Sequence, residues 1–544
     1  MPKLIRERWG TKLGVIMAVS GSAVGLGNFL RFPSEAGKFG PGAFMIPYLA
    51  ALILVGIPLV WVEWTLGRYG GQYGHSSGPG IFQSIAPKAK ALKYLGVLAL
   101  FGPLVIFTYY CYLESWTLGF SISTILGKMP ETSDTATMGA FFQQYLDTES
   151  GAFKYTYILF IITFIINMSV LYFGLRGGIE KVCKIALPTL FVLGAVLMIR
   201  VLTLPTPAGA PAEATPLNGL AYLWNQDFSK LKDPQIWLAA AGQVFFTLSV
   251  GMGVILTYSS YLRKKDDVAL SGLTSATANE FAEVILAGSI IIPAAFVFSG
   301  TLAGSAQEIA QNVQGIANAG SFGLGFVTMP LIFQTIPGGA IFGFLWFFML
   351  FLAGVTSSIS IGQPTIAFLK NEFSMSRGKA VIILSVIMFI FAQPAIWFFK
   401  YGVLDDLDFW AANFVIVIGA LIEMILFGWV LGAKKGWEAM HTGASITVPR
   451  IFRFVIKYVT PLFLAVILGI WLYQKWFDVI LMKTDPNGDP FVGANQPYIL
   501  ITRLALVVLF IFLCVLVYLA WKRHKGRIDI SEDFIDQDNM KTEG

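Results

Sequence analysis

Two short runs, Gly21-Ser22-Ala23-Val24-Gly25-Leu26-Gly27 and Thr247-Leu248-Ser249-Val250-Gly251-Met252-Gly253, collect the residue types that hold a helix together least well. Each lies mid-way along a stretch otherwise apolar enough to cross a bilayer; from Leu13 to Phe32 the only charged side chain is Arg31. A backbone carbonyl released from its helix partner in hydrocarbon is costly unless something else binds it. Cations and polar solutes can do that, and the first amides of a half-helix offer donors to an anion. Taken alone, Gly21-xxx-Gly25 reads as a close helix-packing motif. Two interruptions at equivalent places shift the reading to a binding site. A nucleotide loop does not fit, because GxGxxG spacing is absent and no strand precedes it.

A third polar cluster, Ala353-Gly354-Val355-Thr356-Ser357-Ser358, adds hydroxyls, although hydroxyls in membrane helices commonly bond back to their own preceding turn. Asn279 and Glu283 stand four apart on one helix face, and an ionisable group at membrane depth is a functional candidate. Glu63, Glu114 and Glu423 are further intramembrane carboxylates, for which a structural, hydrogen-bonded role reads at least as well.

The elements that must position these residues are membrane helices. The chain has 544 residues, 56% of them hydrophobic and 13% charged, with mean hydropathy +0.69, too much apolar surface for a soluble domain to hide. About twelve apolar runs of spanning length give an all-α polytopic membrane protein. Lys3, Arg6, Arg8 and Lys12 precede the first run; Arg176, Lys181 and Lys184 separate the fourth and fifth; Arg263, Lys264 and Lys265 follow the sixth; Lys522, Arg523, Lys525 and Arg527 follow the last. The positive-inside rule then puts both termini in the cytoplasm, which requires an even number of spans. The net charge of +6 sits in short loops and does not suggest nucleic acid as a partner. Three cysteines in or beside apolar segments imply no disulfide framework. The two broken runs each open a block of five spans. The organisation expected is a segment 1–10, a first repeat 11–203, a second repeat 235–432, two further spans within 447–522 and a tail 523–544.

GSAVGLGNFLRFP (Gly21–Pro33), PGAFMIPY (Pro41–Tyr48), YYCYLESWTLGF (Tyr109–Phe120), GQVFFTLSVGMG (Gly242–Gly253) and AGVTSSIS (Ala353–Ser360) together resemble the neurotransmitter:sodium symporter family, and most closely its bacterial leucine-transporter branch. The resemblance runs from about Arg6 to the last span. It implies a LeuT-like five-plus-five inverted repeat with spans one and six broken, and a sodium-coupled transporter rather than an enzyme. No organic cofactor is implied.

The resemblance also implies roles. One sodium would meet the Ala23 carbonyl, Asn28, Thr247 and Asn279, with the substrate carboxylate. A second would meet the carbonyls of Gly21, Val24 and Ala353 and the hydroxyls of Thr356 and Ser357. These are hard, uncharged oxygens that suit sodium. A small neutral amino acid would lay its carboxylate against the Leu26 and Gly27 amides and the Tyr110 hydroxyl. Its ammonium would face Ala23, Phe246, Thr247 and Ser249, and its side chain Ile106, Phe246, Met252, Ser357 and Ile361. Arg31 with Asp408 would gate the outer mouth; Arg6, Trp9 and nearby Tyr261 the inner one. Gly25 stands where amine-carrying relatives place an aspartate, so a substrate bringing its own carboxylate is expected. Glu283 stands where chloride-dependent relatives have a neutral residue, so chloride independence is expected.

Three positions depart from the branch. Asn371 replaces the acidic partner of Arg6, which suggests a single hydrogen bond there, or Glu372 in its place, and an easier inward opening. Ser22 replaces an asparagine and Met252 a phenylalanine, which suggests a tolerant, hydrophobic pocket. The expected setting is the cell inner (plasma) membrane. A proton-coupled permease of the same architecture should lack the side-chain oxygens of Asn28, Asn279, Thr356 and Ser357. A non-transporting receptor could share the site. His75, His441 and His524 lie in loops or the tail, and no nucleophile or metal constellation suggests an enzyme.

Overall fold

The computed structural model describes residues 7–132 and 134–523; Arg6 and the tail 524–544 lie outside it. Among the described residues, ten helices are long and apolar enough to cross a membrane. They are Met45–Gly71, Leu92–Ile125, Phe153–Tyr172, Leu175–Leu202, Ala269–Gly300, Gly339–Phe373, Arg377–Trp397, Val403–Val430, Ile451–Ile480 and Gly493–Arg523. Two broken spans bring the crossings to twelve. The first is Lys12–Ala23 followed by Leu26–Lys38, bent by 47°. The sixth is Pro234–Thr247 followed by Val254–Ser260.

Each break has a local cause. Thr11 caps the first half-helix by accepting the Gly14 amide at 2.9 Å. Val24 ends it with ψ 90°, its own amide still bonded to Ser20 O at 2.7 Å. Gly25 is extended, and a Cβ there would lie 2.8 Å from both Ser357 Oγ and Tyr110 Oη, so a side chain would close the gap the break creates. In the sixth span, Ser249, Gly251 and Gly253 all take positive φ (53°, 77° and 74°), which no helix accommodates.

Burial separates the core from the perimeter. In their most apolar stretches spans three and seven are 83% and 89% buried, whereas spans eleven and twelve are 22% buried and turn the rest to lipid. Glu114 in span three is fully buried and accepts from Asn167 and, at 2.8 Å, from Ser358, an internal hydrogen-bonded role. Between spans seven and eight the chain forms a helical hairpin, Ala306–Asn318 and Gly320–Gln334, bent by 113°. It packs on the second half of span one, where Ser34 donates to Ala317 O at 2.9 Å. Taken together the pair is apolar enough to pass for a span, but the bend turns it back on itself.

One latch lies in the connection after span two. His75 Nδ1 is 2.9 Å from Glu372 Oε1, and its ring stacks on Trp521, which Lys93 overlies at 5.6 Å. Burial lowers the imidazole pKa, but the Glu372 charge and hydrogen bond more than offset this and hold it above its ordinary 6.5. A raised folded-state pKa contributes stability that is complete below 6.5 and is lost as pH rises through the raised value. The wild type should therefore melt at a higher temperature than His75→Gln in mildly acidic buffer. The gap should close in alkaline buffer; a gap constant across that range would contradict the latch.

Candidate functional site

The two breaks face each other at the centre of the bundle. Ser22 O accepts from Ser249 Oγ and Ser357 Oγ, each at 3.1 Å, so spans one, six and eight meet at one carbonyl. Gly21 O lies 3.4 Å from Ser357 Oγ, and Thr356 Oγ1 donates to Ala353 O at 3.1 Å. A Cβ on Gly21 would sit 3.2 Å from Thr356 Cβ. Thus Gly21, Ala353, Thr356 and Ser357 converge, with Val24 turning out of the helix beside them. Thr356 and Ser357 are 1% and 3% exposed.

A second cluster forms around Asn28, whose Oδ1 accepts the Gly25 amide at 2.8 Å. Its Nδ2 lies 2.8 Å from each of Thr247 Oγ1, Asn279 Oδ1 and Glu283 Oε2. Two amide hydrogens cannot serve three acceptors. The Asn279 amide also faces Ala23 O at 3.1 Å and Thr247 O at 3.2 Å. With its nitrogen on that side the amide donates to both carbonyls and its oxygen accepts from Thr247 Oγ1 at 2.9 Å, so two carbonyls, a hydroxyl and two amide oxygens gather in one buried place. Such an oxygen-rich, buried donor set suits a hard monovalent cation. The residues present therefore fit sodium.

Glu283 is fully buried and drawn into the same cluster. Its Oε1 accepts from Tyr48 and Gln243, both at 2.9 Å, and its Oε2 from Asn28 and Thr247. Tyr48 also reaches Glu280 at 2.7 Å. Tyr48 and Gln243 were not singled out in the sequence; only their place inside the PGAFMIPY and GQVFFTLSVGMG motifs could have pointed to them.

Beside these clusters, the Leu26 amide donates to Tyr110 Oη at 3.2 Å at the start of the second half-helix. Gly27 lies directly under the Phe246 ring, with no room for a side chain. Ile106, Met252 and Ile361 are buried, and the buried Ser22 hydroxyl has no partner among the described residues. Above, Arg31 stacks on Phe246 with its guanidinium 4.6 Å from the ring centre. Asp408 accepts from Tyr109 at 2.6 Å and Asn413 at 3.4 Å. Arg31 and Asp408 are not brought into a direct ion pair; Tyr109 holds the aspartate instead.

At the opposite mouth, Trp9 donates to Tyr258 O at 2.9 Å and meets its ring edge-on. Tyr261 Oη accepts from Gln363, which in turn accepts from Arg377 at 2.9 Å. Arg377 and Lys370 both pair with Glu7, Arg377 at 2.8 Å. Glu372 pairs with His75. Glu7, Lys370, Arg377 and Gln363 were missed in the sequence, because charges hundreds of positions apart carry no local signal.

Most of the described bundle has known counterparts. The sequence profile of the sodium:neurotransmitter symporter family matches residues 6–138 and 140–476. A sodium-dependent transporter of Haemophilus influenzae is 32% identical over 482 residues, covering 85% of this chain and 97% of its own. One from Methanocaldococcus jannaschii is 31% identical over 478 residues, covering 86% and 90%. Among solved structures, the crystal structure of MhsT in complex with L-phenylalanine superposes with a TM-score of 0.72 at 29% identity, covering 85% of this chain and 99% of that one. With its LeuT-like fold, its many apolar spans and its crossed pair of broken helices, this chain belongs to the sodium:neurotransmitter symporter family, as a membrane-embedded, sodium-coupled transporter and not an enzyme.

Proposed function

We propose that the protein is a symporter of neutral, hydrophobic L-amino acids, driven by two sodium ions, independent of chloride and working by alternating access. The observation that carries this reading is the meeting of the two breaks without a carboxylate at Gly25, whose Cβ position is already closed by Tyr110 and Ser357. A substrate there has amides at Leu26 and Gly27 and the Tyr110 hydroxyl to receive its carboxylate, and the Ser249 side to receive its ammonium. The L-phenylalanine in complex with MhsT is a molecule of this chemistry. Met252 and the small Ser22 leave a pocket that tolerates varied side chains.

Ala23, Asn28, Thr247 and Asn279 would hold one sodium, and Gly21, Val24, Ala353, Thr356 and Ser357 the other. Bound there, sodium supplies the positive charge that balances a substrate carboxylate and brings the stored ion gradient to bear. Two ions entering with a zwitterion move two charges, worth about 4.6 kcal/mol per 100 mV. Phe246, steadied by Arg31, roofs the site, and Asp408 with Tyr109 closes over it from the outside. Residues 11–203 and 235–432 form the two repeats that rock about it, in the inner (plasma) membrane with both termini cytoplasmic.

The clasp of Glu7 by Lys370 and Arg377 closes the cytoplasmic mouth and makes up for the acid that Asn371 lacks. Inward opening is then no easier than in relatives with an acid at that position. Thr356→Ala with Ser357→Ala removes two hydroxyls of one sodium site. Half-saturating sodium should rise on the order of tenfold or more, consistent with losing charge-assisted contacts of about 1.5–3 kcal/mol. A sodium titration matching the wild type would argue against that site.

A further inference from the structure

Glu63 and Glu423 take no part in the site described, yet both are fully buried, on spans two and ten. Glu63 Oε1 accepts the amide proton of Gly251, at the apex of the sixth-span break. Among the described residues, no protein group donates to Glu63 Oε2 or to either oxygen of Glu423. The two carboxyl groups lie within hydrogen-bonding reach of each other. Gly251 is wedged against span ten: a Cβ there would meet Ile416 O and Ala420 N, and one on Gly419 would lie 2.7 Å from Gly251 O.

Among the described residues, no basic side chain faces the pair. Arg68, on the same helix as Glu63, donates to the carbonyls of Asp266, Ala439 and Thr442. Lys457 of span eleven lies over Trp429 and Tyr458, and Lys435 reaches Tyr69. His441 is bonded to Trp437 O and Val448 N. Glu114 of span three is held by Asn167 and Ser358, Glu280 of span seven by Tyr48, and Tyr258 of span six by Ser360. Two neighbouring carboxylates without a cation cannot both stay ionised in so apolar a place.

We propose that Glu63 and Glu423 form an intramembrane proton site, in which one proton bridges the carboxyls while Gly251 donates to Glu63, and a second enters when the sixth-span break moves and that donor leaves. The hydrogen-bond accounting places the first proton on Glu423, which donates it to Glu63 Oε2; the Gly251 amide supports the charge on Glu63. Once the amide departs, the Glu63 carboxylate has lost its backbone donor, and it becomes neutral by taking a proton from water. In one respect this rests on the amino-acid reading: Gly251 lies between Ser249 and Met252, so a substrate bound there holds the break as seen and keeps the second proton off.

Infrared spectroscopy of the purified full chain tests the site without substrate. Glu423→Gln should lose intensity from the protonated-carboxyl band and leave the ionised-carboxylate band unchanged. Loss from the ionised band instead would overturn the proposal. Glu63→Gln gives an independent reading if the Glu423 variant does not fold: it should lose intensity from the ionised-carboxylate band and keep the protonated one, and the reverse would overturn the proposal. Coupling is tested by sodium-dependent binding of L-phenylalanine from neutral to acidic pH. The wild type should lose affinity as pH falls, with a limiting slope of about tenfold per pH unit for one proton, and Glu63→Gln, which removes the group that takes the coupled proton, should flatten that slope. An unchanged slope in the variant overturns the coupling. Absence of L-phenylalanine binding in the wild type would count against the amino-acid reading, and the infrared result would still decide the proton site.

Discussion

Glu283→Ser should make uptake depend on chloride, where uptake by the wild type should not. Without chloride, uptake should fall on the order of 100-fold, and chloride should restore most of it. Four donors converge on the Glu283 carboxylate: Tyr48, Gln243, Asn28 and Thr247. Serine leaves them aimed at an emptied space inside an apolar core, beside residues that gather oxygens for a cation. Each charge-assisted hydrogen bond contributes about 1.5–3 kcal/mol, so losing the equivalent of one or two yields the stated fall. A small anion from solution meets the same donors and restores the negative charge. Glu280 touches only Tyr48 and Asn279 in this group, so Glu280→Gln should leave uptake indifferent to chloride. Uptake by Glu283→Ser that ignores chloride would refute the role given to the carboxylate.

The second large effect is expected at the mouth beside Trp9 and Tyr261, the cytoplasmic one in the proposed orientation. Glu7 is 22% exposed, and Lys370 and Arg377 are each 12% exposed, so the clasp is screened less than a surface ion pair. Glu7→Gln leaves two cations side by side, costing about 2 kcal/mol, between the values for surface and buried pairs. That shifts the balance toward the inward-open form roughly 30-fold. A cysteine at position 261, with Cys111, Cys183 and Cys514 replaced by alanine, reports it through its labelling rate by a cytoplasmic thiol reagent. Labelling should accelerate in Glu7→Gln and return toward the original rate in the exchanged pair Glu7→Lys with Lys370→Glu. An unaltered rate in Glu7→Gln would show that the clasp does not hold the mouth shut.

The breaks in spans one and six were legible because glycine, serine and asparagine weaken a helix in the middle of an apolar run, where a spanning segment most needs its backbone bonds, and both breaks stand where the sequence places them. Asn279 and Glu283 were legible through their four-residue spacing at depth. The hairpin Ala306–Gln334 was not, since its first helix is polar enough to read as a loop and its order comes from packing on Ser34 and Leu30. The Glu7 clasp was hidden for a different reason: its partners are 363 and 370 positions away, and only the fold brings them together. The gate role of Arg31 and Asp408 is a matter of motif, and the motif does not fix which groups they touch. Both occupy the outer mouth, but the ring of Phe246 and the hydroxyl of Tyr109 take the contacts a direct ion pair would need.

The central claim is that the crossed breaks hold sodium together with a ligand that brings its own carboxylate. Competition binding on the purified protein, comparing L-phenylalanine with phenethylamine in sodium and in potassium, addresses it most directly. The account predicts binding of L-phenylalanine that requires sodium, and at least tenfold weaker competition by the amine, which leaves the Leu26, Gly27 and Tyr110 donors unpaired. Equal competition by the amine, or binding that is the same in potassium, would contradict it.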